Sequence, residues 1–112
     1  MICSPFDVVE VPFPFVDSPK TKTRKALVLS SKNFNQSNNA TTLAMITSAT
    51  NSAWEKDTPV SNLQLAGLKK NCCIRFKLFT IQNNLIKSKV GSLSEEDQKL
   101  VSQRLSEIFS HI

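Results

Sequence analysis

The sequence is poor in glycine, histidine and tyrosine. Its 112 residues hold two glycines, Gly67 and Gly91, one histidine, His111, and no tyrosine. A dinucleotide fingerprint and a phosphate-cradling loop each need several glycines close together, so both are excluded. One histidine cannot form a histidine acid–base pair for RNA cleavage. Together with Cys3, Cys72 and Cys73 it offers no zinc-ligand spacing. Adjacent cysteines rarely bridge each other, and Cys72-Cys73 lacks the histidine that a cysteine nucleophile needs. Free thiols in a reducing cytoplasm are expected, with Cys72 and Cys73 in the core. Apolar runs such as Ala26–Leu29 and Leu43–Ile46 are short. A membrane span takes about 20 residues, so a soluble protein without membrane association is expected. Met1-Ile2-Cys3-Ser4-Pro5 has neither the basic opening nor the apolar stretch of a secretory signal. No carboxylates pair at helical or strand spacing outside the C-terminal segment, which argues against glycosidase chemistry. No cofactor or metal is expected.

What is present is enough for a packed core, with 40% of the residues apolar, and the length fits one domain over residues 1–112. The formal net charge is +5 and is unevenly spread. Residues 1–90 carry 12 Lys or Arg against 5 acids, whereas residues 91–112 carry 2 against 4. A basic body with a slightly acidic tail suits a polyanionic ligand, although solubility alone also favours net charge.

Phe6–Phe15 alternates at period two and predicts a strand, with Pro12 and Pro14 marking it as bent or at an edge. Val16–Thr23 predicts a cationic loop and Ala26–Ser30 a short strand buried on both faces. Lys32–Asn39 predicts a loop and Thr41–Ser48 a β-branched strand. Strand entry is expected at Asp57–Val60, a turn at Ala66-Gly67-Leu68, then strands over Cys72–Ile81 and Leu85–Val90 joined through Asn83-Asn84. Gly91 is expected to end the β region. Ser94 is a natural N-cap, with Glu95, Glu96 and Asp97 in the first turn where the helix dipole favours them. From there Leu100, Val101, Leu105, Ile108, Phe109 and Ile112 make one apolar face on a helix of about Ser94–Phe109. The pattern is that of a small antiparallel barrel or sandwich with a terminal amphipathic helix.

Lys20, Lys22, Arg24 and Lys25 form the densest cationic cluster. Arg24 is expected at a loop–strand junction, where a held guanidinium matches a phosphate. Thr47 and Ser48 end a strand and could donate to a phosphate oxygen or cap local backbone. Arg75 and Lys77 share a strand face, as a phosphate track or as a wet face. Trp54 reads as a plug of the local core, and Phe76 and Phe79 as core.

The order of segments resembles the MazF/PemK family of toxins. The resemblance rests on Phe6-Asp7-Val8-Val9-Glu10-Val11-Pro12-Phe13-Pro14-Phe15, then Thr23-Arg24-Lys25-Ala26-Leu27-Val28-Leu29-Ser30. It continues through Ala44-Met45-Ile46-Thr47-Ser48, Lys77-Leu78-Phe79-Thr80-Ile81 and Gly91-Ser92-Leu93-Ser94. It covers about residues 6–109 and implies an SH3-like barrel of the CcdB/PemK type with a C-terminal helix, usually a homodimer. The activity it implies is metal-independent, sequence-specific cleavage of single-stranded RNA, neutralised by a cognate antitoxin, with DNA reached only through the antitoxin complex. It carries catalysis to Arg24 and Thr47, with Ser48 beside Thr47, and RNA contacts to Lys22, Lys25, Ser48, Arg75 and Lys77. The chain departs from the family at three places. Arg24 is followed by Lys25 rather than proline, Phe6-Asp7 stands for Gly-Asp, and Arg75-Phe76-Lys77 lacks the acid that some members carry two residues after that arginine.

RNA brings its own nucleophile, since its 2′-hydroxyl can attack the adjacent phosphorus. An enzyme then has to align that attack and stabilise the charge that develops. Arginine is not deprotonated in proteins, so Arg24 is assigned the electrostatic role first and proton donation to the leaving oxygen second. Thr47 is assigned the role of hydroxyl donor. A non-catalytic RNA- or protein-binding member of the fold, and a barrel that poisons a protein target, stand as alternatives.

Overall fold

A computed structural model describes residues 1–14, 20, 22–49 and 53–110. The chain runs β1 (Asp7–Phe13), β2 (Lys22–Val28), α1 (Lys32–Asn38), β3 (Ala40–Ser48), β4 (Thr58–Pro59), α2 (Leu63–Ala66), β5 (Cys72–Gln82), β6 (Ser88–Ser92) and α3 (Glu95–Ile108), with a 3-10 turn at Asn83–Leu85 before β6. The strands form one antiparallel sheet in the order β4-β5-β3-β2-β1-β6. This curled sheet with its terminal helix is the architecture the resemblance implies.

Alternation divides the sheet into two faces, each with its own core. Val8, Leu27, Ala44, Ile46 and Ile74 form one face and pack against Ala66 of α2 and Val101 of α3. Val9, Val11, Ala26, Val28, Leu43 and Ile81 form the other, closed by Cys3 and Ile86. Ala26, Leu27 and Val28 are fully buried, as expected of a strand covered on both sides. Burial does not alternate in β1, where Val8 and Val9 are both at 0% exposure because each faces one of the two cores.

Proline explains where β1 stops being interior. β6 pairs only with Asp7–Glu10, so from Val11 onward β1 has a partner on the β2 side alone. Pro12 falls in that unpaired stretch, where its missing N–H costs no ladder bond.

Four elements differ from the sequence-based expectation. The expected loop Lys32–Asn39 holds the helix α1 (Lys32–Asn38). Ser31 caps it by accepting from Phe34 N at 3.1 Å, and Asn39 ends it at φ 50°. The polar composition conceals it because its one buried side chain is Asn35. The turn after Val60 contains the short helix α2, capped by Asn62 and ended by Gly67 at φ 72°. β2 begins at Lys22 and ends at Val28, so Arg24 lies inside a strand, opposite Val11, rather than at its entrance. β6 runs through Gly91 to Ser92. The expected loop at Val16–Thr23 falls mostly outside the described residues, as do His111 and Ile112.

The two glycines meet each other's elements. A Cβ on Gly67 would strike the carbonyl of Val90, and one on Gly91 would strike Ala66 and Leu65, so α2 presses directly on β6. Phe6, which departs from the family's glycine, has φ 71°. That backbone suits glycine. The Phe6 side chain nevertheless packs against the α3-side core. Asp97 ties α3 to α2: Ser61 Oγ donates to it at 2.7 Å and Asn62 N at 3.2 Å. Burial pushes its carboxyl up, but these bonds outweigh it and the net shift is downward. No helix among the described residues is long and apolar enough to cross a membrane.

Candidate functional site

The face built on Val9, Val11, Ala26, Val28 and Leu43 has two different ends. At one end α1 closes it with amide hydrogen bonds. Thr41 Oγ1 bonds to Asn83 Oδ1 at 2.6 Å, Asn83 Nδ2 donates to Asn35 O at 2.8 Å, and Asn35 Nδ2 donates to Cys3 O at 2.9 Å. Ser30 Oγ completes the group on Asn35 Oδ1. These buried amides are mutually satisfied, which seals that end.

The other end is open, and strand parity decides what reaches it. The β2–β3 ladder pairs Val28 with Leu43, Leu27 with Ala44 and Ala26 with Met45, then stops. Two residues further, Arg24 shares the parity of Ala26, and Thr47 that of Met45, so both project from the same face. They line one cavity of about 430 Å³, with Phe13, Met45, Ser48, Lys70 and Cys72 among its walls. The Arg24 Cζ lies 5.7 Å from the Phe13 ring centroid. Among the described residues no carboxylate forms an ion pair with Arg24. Lys25 also lines the cavity, and its Nζ stands 3.8 Å from Glu10. Burial pushes the half-buried Cys72 thiol up, while Lys25 and Lys70 pull it down; the net shift is upward, so its sulfur is kept as a thiol.

A second cavity of about 230 Å³ adjoins the first. Phe13, Met45 and Thr47 line both, and Arg75, Lys77, Leu78 and Phe79 complete it. β5 shifts register here. Ala44 pairs with Leu78 but Met45 with Arg75, so Phe76 and Lys77 bulge out between them. Because the shift is two residues, Arg75, Lys77 and Phe79 keep the same parity. Arg75 is clamped by Asp57: Nε donates to Oδ1 at 3.2 Å and Nη2 to Oδ2 at 2.8 Å. The Arg75 hydrogen bond is the main cause that holds the Asp57 carboxyl below its ordinary range. Asp57 Oδ2 also accepts from Trp54 N at 2.9 Å, and the Trp54 ring centroid is 5.6 Å from Arg75 Cζ. Trp54 is 49% exposed, so it is no core plug; it packs on a guanidinium instead.

The open end therefore gathers Arg24, Lys25, Thr47 and Ser48 in one cavity and Thr47, Arg75 and Lys77 in the next. Lys22, opposite Phe13 in the ladder, lines neither. Phe13 and Met45 are site residues that the sequence pattern marks only as strand positions. Their parity with Val11 and Leu43 was the available signal. Asp57 and Lys70 carried no local signal, since their neighbours in space come from distant strands. Among the described residues no three His, Cys, Asp or Glu side chains gather where they could hold a metal ion.

A family model described as PemK-like, MazF-like toxin of type II toxin-antitoxin system matches residues 4–109. No curated protein matches the sequence. Among solved structures, the Mycobacterium tuberculosis toxin MazF-mt6 aligns with TM-score 0.74 at 17% identity, covering 93% of this chain and 96% of that one. MazE-MazF from Deinococcus radiodurans aligns with TM-score 0.74 at 13% identity over 98% of each chain. An endoribonuclease in complex with its cognate antitoxin from a mycobacterial species aligns with TM-score 0.73 at 7% identity, over 97% of this chain and 94% of that one. At these identities the structural likeness speaks for the fold.

Proposed function

We propose, from the premise that this chain belongs to the PemK-like, MazF-like toxins of type II toxin–antitoxin systems, that it is an endoribonuclease cutting single-stranded RNA at particular sequences. The observation that carries the proposal is the meeting of Arg24 and Thr47 in one cavity. A phosphate seated there would have a guanidinium and a hydroxyl within its reach, with Ser48 beside them.

The reaction needs little from the protein beyond placement and charge. The 2′-oxygen bonds to phosphorus and the bond from phosphorus to the 5′-oxygen breaks. A 2′,3′-cyclic phosphate and a 5′-hydroxyl result, and the net proton passes from the 2′-hydroxyl to the departing oxygen. Arg24 would face the non-bridging oxygens as negative charge accumulates, and Thr47 would donate its hydroxyl beside it. Phe13 limits where the guanidinium can go, so its orientation is paid for before the reaction rather than during it. The family proline after the arginine is absent, and the β1–β2 ladder at Val11–Arg24 supplies the backbone rigidity instead. Because RNA provides the nucleophile, no metal is required.

Incubation of the pure protein with single-stranded RNA and EDTA tests this. Discrete cuts ending in cyclic phosphate are expected. RNA retained without cuts would leave a binding protein of the same fold. For partners, the family and the basic open end favour a cognate antitoxin with an acidic, extended segment, and a homodimer in the cytoplasm. Light scattering that shows only monomer at micromolar concentration would remove the dimer.

A further inference from the structure

We propose that Lys70 is the general acid of the cut, giving the departing 5′-oxygen its proton. The proposal rests on the nuclease reading above, and its ground is the form of the larger cavity. β2 and β3 pair only as far as Ala26 and Met45, and the cavity lies where they part. Its lining therefore has both strand parities. Arg24 and Thr47 belong to one face of the sheet, and Lys25 and Ser48 to the other. Cys72, the ladder partner of Ser48, joins the second set, and Lys70 stands two residues before it. In-line displacement puts the attacking and leaving oxygens on opposite sides of phosphorus. Groups that steady the non-bridging oxygens and a group that meets the leaving oxygen must then approach from different directions. A gap lined from both faces provides them.

The proton-bearing groups of the cavity are not equivalent. Arg24 does not give up its proton. The hydroxyls of Thr47 and Ser48 are no stronger as acids than the alcohol that leaves. Lys25 stands 3.8 Å from Glu10, and Cys72 packs against the α3-side core. Among the described residues no acid forms an ion pair with Lys70. A lysine ammonium is compact and can lose a proton, which a guanidinium cannot. Its stem also starts from fixed backbone. Just before it Leu68 N donates to Leu63 O at 2.9 Å, and just after it Ala49 N donates to Asn71 O at 3.1 Å. The charge of Lys70 acts on the Cys72 thiol, which places the ammonium on the cavity side. As the bond from phosphorus to the 5′-oxygen breaks, its electron pair stays on that oxygen, which takes the Lys70 proton. The neutral amine regains a proton from water, and the 2′-hydroxyl proton is released to water.

The test compares leaving groups. The full chain, in EDTA, is given two oligoribonucleotides that differ at one linkage the parent cuts, with the natural 5′-oxygen in one and a 5′-sulfur in the other. A thiolate departs without a proton, so only the oxygen linkage needs an acid. Lys70→Ala is expected to cut the oxygen linkage about 10²-fold more slowly than the parent, and the sulfur linkage at close to the parental rate. Lys70→Arg keeps the charge but not an acid's readiness to lose a proton. It is expected to show the same split while binding an uncuttable 2′-O-methyl oligonucleotide as the parent does. Equal slowing on both linkages would make Lys70 a binding or structural residue and overturn the proposal. A defect relieved by sulfur in Cys72→Ala, with none in Lys70→Ala, would pass the role to the thiol and overturn it too. The two readings fail distinguishably. A parent that cuts no RNA loses the nuclease and this assignment with it, whereas a parent whose rate Lys70→Ala matches on the oxygen linkage loses only the assignment.

Discussion

Arg24 and Arg75 project from the same face of the sheet, each beside an aromatic ring and each sharing a cavity with Thr47. Their surroundings differ in one respect. Arg75 is held at two points by Asp57, with side chains 13% and 11% exposed, whereas among the described residues no acid pairs with Arg24. A guanidinium already paired with a carboxylate contributes little net charge, and its value lies in its fixed shape. One lacking an acid keeps its charge for a ligand. The difference separates a residue that shapes the site from one that can act on an anion.

Substitution of each arginine should break this pair of roles apart, and the largest effect is expected at Arg24. Arg24→Ala should slow RNA cleavage by about 10²–10³-fold, as loss of one preorganised donor does. It should change stability by no more than about 0.5 kcal/mol, as expected for an exposed residue. Cleavage at the parental rate would reassign the catalytic charge. Arg75→Ala should show the opposite balance. It leaves Asp57 nearly buried and unpaired, which should cost about 2–3 kcal/mol in urea unfolding. If Arg75→Ala proves as stable as the parent, the clamp is not structural and the contrast between the two arginines fails.

Acid should sharpen the comparison further. The Asp57 carboxyl is held below its ordinary range, first by the Arg75 hydrogen bond. The unfolded chain therefore takes up the proton first as pH falls. Stability from the pair is complete above the ordinary carboxylate range of about pH 4 and drains away as pH drops through the lowered value. Asp97 is lowered too, despite its burial, and so is Glu107 through its hydrogen bonds to Lys56 and Arg104, so the parent curve reports all three groups. The informative quantity is the difference between parent and Asp57→Asn, measured by thermal melts from neutral pH downward. The variant should be less stable at neutral pH, and the gap should close toward low pH. A gap that stays constant would mean that Asp57 acts through packing rather than charge.

What the sequence revealed follows from the range of the signals. Period-two alternation located β1, β-branched content located β3, and Ser94 with its three acids located α3 almost to the residue, because each is written in neighbouring positions. α1 escaped because its contacts run through Asn35 to Cys3 and Asn83 rather than through an apolar stripe. Arg24 and Thr47 could be singled out as residue types at strand positions. Their meeting depends on the β2–β3 register, which pairs Ala26 with Met45 and which no local pattern states. The Asp57 clamp is further from view. Arg75 has Lys77 two residues on, and the carboxylate that pairs with it comes from the segment ahead of β4, 18 positions earlier in the chain.

The smallest expected effect concerns Lys25, which lines the Arg24 cavity yet leans toward Glu10 at 3.8 Å. With side chains 36% and 29% exposed, that ion pair is screened, and Lys25→Ala should change stability by less than about 1 kcal/mol. Its electrostatic part in RNA binding can be isolated by salt. Each lysine that neutralises a phosphate of a single strand contributes about 0.7 to the slope of log affinity against log salt. Binding of a 2′-O-methyl oligonucleotide to Lys25→Ala should therefore show a slope shallower by about that amount. Glu10→Gln should leave the slope as it is or steepen it slightly, because it releases Lys25 toward the strand. A slope unchanged in Lys25→Ala would put Lys25 off the phosphate path.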